Sequence, residues 1–166
     1  MKNDILNHSD AYIKWVSQLE ELAPENWNQP IKDGKWSVNE IVAHLLKWDG
    51  YLIEQIPAIT DQKQITFPDH DSFNEKASEY AKSRTTQKEL IDEAVESRKK
   101  LMKLVNNLSE ETLKQHITVN SITHCPHTGE PYSILYLLQE FGEHDKHHEK
   151  QIEQFLENKR TASSTN

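Results

Sequence analysis

Cysteine is nearly absent from this sequence. One thiol, Cys125, among 166 residues excludes an internal disulfide framework. Basic residues are also in short supply. Nineteen Lys and Arg face 27 Asp and Glu, a formal net charge of -8. Such a chain lacks the positive footprint that neutralises phosphates, which excludes nucleic acid as a partner. No apolar run approaches the ~20 residues of a membrane span, so no membrane association is expected. The N-terminal stretch MKNDILNHSD has no apolar core of the signal-peptide kind, and a cytoplasmic location is the expectation. Glycine is sparse, with 4 in the chain, and the motifs built on it are missing. There is no Gly-x-Gly-x-x-Gly, no phosphate-binding P-loop and no Gly-x-Ser-x-Gly elbow.

What is present is amphipathic. Hydrophobic residues make up 35% and charged residues 28%, the balance of helices that bury one face and solvate the other. The stretch from Tyr132 to Leu156 is the strongest case, and its spacing predicts one long helix. Ile134, Leu138, Phe141, Ile152 and Phe155 recur at three- to four-residue spacing on one stripe. His144 and His148 interrupt that stripe, with Gln151 beside them. His147 projects off it, toward water.

The rest of the chain reads as further helices. The first is expected over Ser9 to Leu22, with Tyr12, Val16, Leu19 and Ala23 as its stripe and Pro24 as its stop. A polar connector follows, in which Trp27 and Trp36 either plug the end of a bundle or wall a ligand pocket. Ser37 and Glu40 form a capping box. It opens a helix with Val38, Ile41, Leu45, Trp48, Leu52 and Ile56 on one face and Pro57 at its end. His44 lies at the edge of that face. Residues 58–71 show no clear period, and a short helix is expected from Ser72 to Lys82. Thr86 and Glu89 form a second capping box, before a helix with Leu90, Ala94, Leu101, Val105 and Leu108 inside. Glu93, Glu96, Arg98 and Lys99 are expected on its solvated face. Residues 109–131 make a long turn-rich connection of the kind that is functional or mobile. The expected architecture is all-α: one four-helix-bundle domain over residues 1–158 with long connections, then a disordered tail over 159–166.

His144 and His148 at i,i+4 spacing present two imidazoles on one helix face, about 5–6 Å apart at Cβ. With His44 from another helix they would make a three-histidine site, with positions left open for substrate or water. Neutral imidazole suits zinc, nickel, copper or iron. Gln151 could orient a ring or a bound water. Spacing alone leaves the opposite reading open, in which the two histidines are capped by carboxylates such as Asp145 or Glu140. Two other sites are disfavoured: no Glu-x-x-His occurs, so the di-iron pattern of ferritin-like bundles has no support, and no His-Glu-x-x-His occurs either. In His124-Cys125-Pro126-His127, Pro126 restricts the backbone. A cysteine flanked by two histidines could be a nucleophile or a second metal clip, but one short loop rarely supplies a whole site; alternatively, one of the two histidines approaches the main site as a substrate contact. Gly142 in the last helix would allow a close approach of a neighbouring element.

Trp36-Ser37-Val38-x-Glu40-Ile41-x-x-His44-Leu45, followed by His144-x-x-x-His148-x-x-Gln151-Ile152, resembles the DinB-like superfamily, in particular its YfiT-like branch, which includes bacillithiol S-transferases. Mycothiol-dependent isomerases are more distant kin. The similarity runs over about residues 8–157, and the segment from Pro126 to Glu130 also looks like the YfiT-like lead into the last helix. The resemblance implies a four-helix bundle and a divalent metal, zinc or nickel, held by His44, His144 and His148. His147 and Cys125 depart from the pattern.

The expected function is metal-dependent transfer of a low-molecular-weight thiol to an electrophilic small molecule. A hydrolase on the same site, or a metal-binding stress or interaction protein without turnover, is the alternative. The expected partners are a small-molecule thiol and an electrophile, with a homodimer as the assembly to test. Trp36 or Trp48 would wall the site, and Cys125 would not be the nucleophile.

Overall fold

Capped amphipathic segments fold here into four long helices that share one interior. The computed structural model describes residues 1–83 and 86–164. Helix α1 spans Lys2–Gln18 and passes through a 3₁₀ turn, Leu19–Glu21, to the short α2, Pro24–Asn28. Helix α3 spans Val38–Gln62, α4 His70–Ser83, α5 Gln87–Asn106, the short α6 Glu110–Lys114, and α7 Ile134–Ser164. Two short strands, β1 (Gln64–Ile65) and β2 (Thr118–Val119), pair in parallel and tie the two long connections together. Helices α1 and α3 each pack against both α5 and α7, and α4 lies against α3.

The α3 cap forms as its sequence dictates. Ser37 Oγ accepts from the Glu40 amide at 3.1 Å, and Glu40 Oε1 accepts from the Ser37 amide at 3.2 Å. The expected α3 face, from Val38 to Ile56, is buried throughout. Two apolar clusters result. One joins Tyr12, Val16, Ile41, Leu45, Leu90 and Ile152, and the other gathers Leu52, Ile56, Leu101, Val105, Ile134 and Leu138.

Several boundaries differ from the sequence reading. Helix α1 begins seven residues earlier than expected, because Ile5 is buried and extends its stripe by two turns. Pro57 does not end α3. It removes one amide donor, but Ile59, one turn short of the helix end, is buried at 1% exposure and holds the helix in place. The helix ends instead at Lys63, in the left-handed region at φ 58°. The expected disordered tail is helical through Ser164, since no Gly or Pro interrupts it and Thr161 Oγ1 donates to the Glu157 carbonyl. Thr165 and Asn166 lie outside the described residues. Trp27 is a buried plug of the first apolar cluster.

The largest correction concerns Arg98, which is not on a solvated face. It is 4% exposed. Its Nε and Nη2 donate to Asp49 of α3 at 2.7 and 3.0 Å. Nη1 and Nη2 donate to Asp145 of α7 at 2.9 and 3.1 Å. The guanidinium lies over the Tyr12 ring of α1, and His8 of α1 meets Asp145 at 3.0 Å. All four long helices therefore converge on one buried charge cluster. Gly142, one turn before Asp145 on α7, leaves room for the His8 ring, 3.4 Å from where a Cβ would lie.

Candidate metal centre

His44 comes from the second turn of α3, and His144 and His148 from consecutive turns of α7. The packing of α3 on α7 turns the three rings toward a common point. His144 Nε2 lies 3.1 Å from His44 Nε2 and 3.1 Å from His148 Nε2. The three candidate ligand atoms all fall within 4.8 Å of one another. His147, the neighbour of His148, is exposed and points elsewhere.

This arrangement is hard to satisfy with imidazole protons alone. His148 Nδ1 lies 2.8 Å from Gln151 Oε1, an acceptor. That ring therefore carries its proton on Nδ1 and turns the lone pair of Nε2 inward. Nδ1 of His44 and Nδ1 of His144 are buried without a geometric hydrogen-bond partner. His144 Nε2, placed between two other ring nitrogens, cannot form a good hydrogen bond to both with one proton or one lone pair. A cation at the centre, facing three lone pairs, resolves the conflict. Two nitrogens bound about 2.0–2.1 Å from one ion, at angles between square and tetrahedral, lie ~2.9–3.4 Å apart, and the observed spacing of 3.1 Å falls in that window.

The electrostatics favour the neutral, ligating form. Burial pushes His44 down to about 3, helped by the two facing histidines, while the Asn74 side chain beside it opposes the shift. His148 is held at about 4 by burial and by His144, against the Gln151 hydrogen bond. His144 is lowered by burial, with Asp145 opposing. Asp145 does not cap the histidines, because Arg98 and His8 engage it on the other side of α7. Glu140 makes no hydrogen bond to them either.

A cavity of about 560 Å³ opens on His44 and His144. Trp48, Phe67 and Phe141 wall one part of it, and Tyr132, Tyr136 and His127 line another. Trp36 packs on His44 with ring centroids 4.8 Å apart, away from this cavity, and borders a smaller one with His148 and Gln151. Both tryptophans of the sequence reading thus adjoin the cluster, Trp48 as the main wall. The loop between α6 and α7 roofs the cavity. Within it Gly129, at φ 75°, donates its amide to the Cys125 carbonyl at 2.8 Å and closes the turn. Cys125 and His127 reach the cavity, whereas His124 is exposed and meets Thr123. Hydrogen bonds from Tyr136 and Thr128 pull the Cys125 thiol down to about 6.

His70 and Asn74 of α4 line the cavity as well, and the sequence reading assigned them no role. Tyr132 and Tyr136 were equally missed, although Tyr132, Tyr136, Glu140, His144 and His148 repeat every fourth residue. That spacing was the available signal.

A family model described as the DinB superfamily matches residues 11–152. Among solved structures, YfiT from Bacillus subtilis is similar with a TM-score of 0.74 at 16% identity, over 95% of this chain and 86% of that one. YfiT is described as a probable metal-dependent hydrolase with an unusual four-helix bundle topology. No curated protein sequence matches the chain. At this identity the likeness to YfiT shows the shared fold.

Proposed function

The chain belongs to the DinB superfamily, and from that premise we propose that it is a metal-dependent enzyme whose divalent ion is held by His44, His144 and His148. The observation that carries this reading is the convergence of three Nε2 atoms from two helices, all within 4.8 Å of one another. Zinc or nickel suits a set of neutral imidazoles. Such an ion supplies Lewis acidity, which favours the thiolate form of a thiol or lowers the pKa of water.

The residues of the chain do the rest. Gln151 fixes the His148 tautomer and so aims its lone pair. Trp36 backs the His44 ring and leaves its other side to the cavity. Trp48 and Phe141 exclude water from the reacting face. The cavity falls in the range of about 300–1,000 Å³ that encloses small organic ligands, room for a thiol and its acceptor together.

The reaction proposed is transfer of a small thiol to an electrophilic molecule: the thiol gives its proton to solvent, the sulfur lone pair forms the new bond, and the leaving group departs with its own electron pair. Metal-dependent hydrolysis is the second reading, favoured by the description of YfiT. The test is thiol consumption with monochlorobimane by metal-loaded protein, beside ester hydrolysis on the same preparation. Metal-dependent thiol loss that disappears in the triple His44→Ala, His144→Ala, His148→Ala variant is expected. Ester cleavage without thiol loss selects the hydrolase. Rates equal to those of the triple variant in both assays overturn the enzyme and leave a metal-binding protein without turnover.

A further inference from the structure

Helix α4 meets α3 in a fixed antiparallel register. Asn39 Nδ2 donates to the Ala81 carbonyl at 3.1 Å, the Ser78 hydroxyl donates to Glu40, and the Phe73 ring stacks on Trp48 with centroids 4.0 Å apart. Partners thus ascend along α3 as they descend along α4. Asn74 lies one turn before Ser78, and His44 lies one turn after Glu40, so the register sets Asn74 opposite His44. The two side chains adjoin. Both line the cavity, and the Asn74 amide favours the charged form of the ring, the effect of an oxygen beside a ring N–H. Their polar atoms are also complementary. Asn74 Oδ1 and His44 Nδ1 are each buried without a geometric hydrogen-bond partner. An amide oxygen accepts, and Nδ1 donates when it carries the ring proton. One bond between them settles both groups. The other tautomer would set a lone pair against the amide oxygen and a proton on Nε2, which faces His144 Nε2 at 3.1 Å.

From this we infer that Asn74 is a positioning residue of the histidine cluster: its Oδ1 takes the Nδ1 proton of His44 and leaves the Nε2 lone pair facing His144 and His148. The inference rests on the reading above that the cluster holds a divalent ion. Asn74 then does for His44 what Gln151 does for His148. Each amide oxygen, one on α4 and one on α7, fixes its ring as a neutral ligand. Helix α4 contributes none of the three histidines, yet it belongs to the centre through this residue, and its register on α3 holds the amide in place.

The test has two readouts on the full chain. The first is the tautomer of His44 in the metal-free protein, read by nitrogen-15 nuclear magnetic resonance of labelled histidines at about pH 8, above the ordinary imidazole range. His44→Phe assigns its signals. The second is zinc affinity by competition with a chromophoric chelator. Wild type should show His44 protonated on Nδ1. Asn74→Leu should lose that preference and bind zinc about 10–100-fold more weakly, with circular dichroism to check that the helices persist. Asn74→Ala, which suits a helix interior, gives the same two readings should the leucine not fit. Asn74→Asp keeps an acceptor at the same place and should retain both the tautomer and the zinc affinity. A wild type with the His44 proton on Nε2, an unchanged tautomer or wild-type affinity without the acceptor, or a loss in Asn74→Asp as large as in Asn74→Leu would each overturn the inference. Wild-type affinity in Asn74→Leu with about one zinc per chain removes this inference alone. A wild type that takes up no metal removes the metal reading, and the tautomer measurement then decides by itself whether Asn74 sets the His44 proton.

Discussion

Arg98 grips Asp145 with two hydrogen bonds, Nη1 to Oδ2 at 2.9 Å and Nη2 to Oδ1 at 3.1 Å, and Asp145 is the residue that follows His144. Burial alone would raise the Asp145 carboxyl, but the guanidinium beside it outweighs that and holds it below the ordinary range. The same guanidinium binds Asp49, five residues after His44. One buried side chain thus fixes the two helix segments that carry the candidate ligands.

Arg98→Met should therefore be severe. It leaves two buried carboxylates without their common partner, a change that costs about 3–5 kcal/mol. Urea unfolding of the metal-free protein measures it. Arg98→Lys should recover only part of the loss, because an ammonium cannot serve two carboxylates in the planar, bidentate manner of a guanidinium. A loss below about 1 kcal/mol for Arg98→Met would show that the cluster does not hold the bundle together.

Acid should destabilise the metal-free protein through the histidines. His44 at about 3 and His148 at about 4 are held below the free imidazole value, and His144 is lowered with them. The unfolded chain then takes up protons first as pH falls. This contribution to stability is complete above about pH 6.5 and is lost progressively as pH falls toward the two folded values. Melting temperatures of wild type and of a His44→Phe, His148→Phe double variant, measured at pH 7.5 and pH 5, provide the check. The wild type should lose more on acidification. An equal loss in both proteins would place the acid sensitivity elsewhere.

Gln151→Leu should leave the fold intact and weaken metal binding. The substitution removes the acceptor that aims His148, and losses of a bound ring's hydrogen-bond partner cost about 10–100-fold in affinity. Competition with a chromophoric chelator reads this out. Wild-type affinity in the variant would mean that packing alone orients the ring.

Cys125→Ser should keep its metal and most of its activity. The pull on the thiol comes from Tyr136 and Thr128 on the roof of the cavity, and no base is fixed beside it. A hundredfold loss in thiol transfer with metal intact would move the chemistry onto this loop.

Much of this fold is legible in the sequence because α3 and α7 state it twice. Their apolar stripes give helix and buried face, and the Ser37–Glu40 cap marks where α3 starts. His44, His144 and His148 stand out because histidine is costly on an apolar stripe without a partner. Arg98 was illegible for the opposite reason. On a helix with charged neighbours at Glu96 and Lys99, a buried arginine looks like a solvated one, and its partners are 49 and 47 residues away along the chain. The cavity wall was equally hidden, since Phe67 and His70 come from a stretch without periodicity, and His70 and Asn74 meet the site only through the packing of α4 on α3.

The central claim is tested most directly by the metal content of the purified chain and its histidine variants. Elemental analysis of the wild type after equilibration with zinc or nickel should give about one ion per chain, since each imidazole in the cluster is neutral and free to ligate at pH 7.5. His44→Ala, His144→Ala and His148→Ala should each lose most of that ion, whereas His147→Ala, altered at an exposed position off the cluster, should retain it. Unchanged metal content in all three cluster variants would contradict the three-histidine centre.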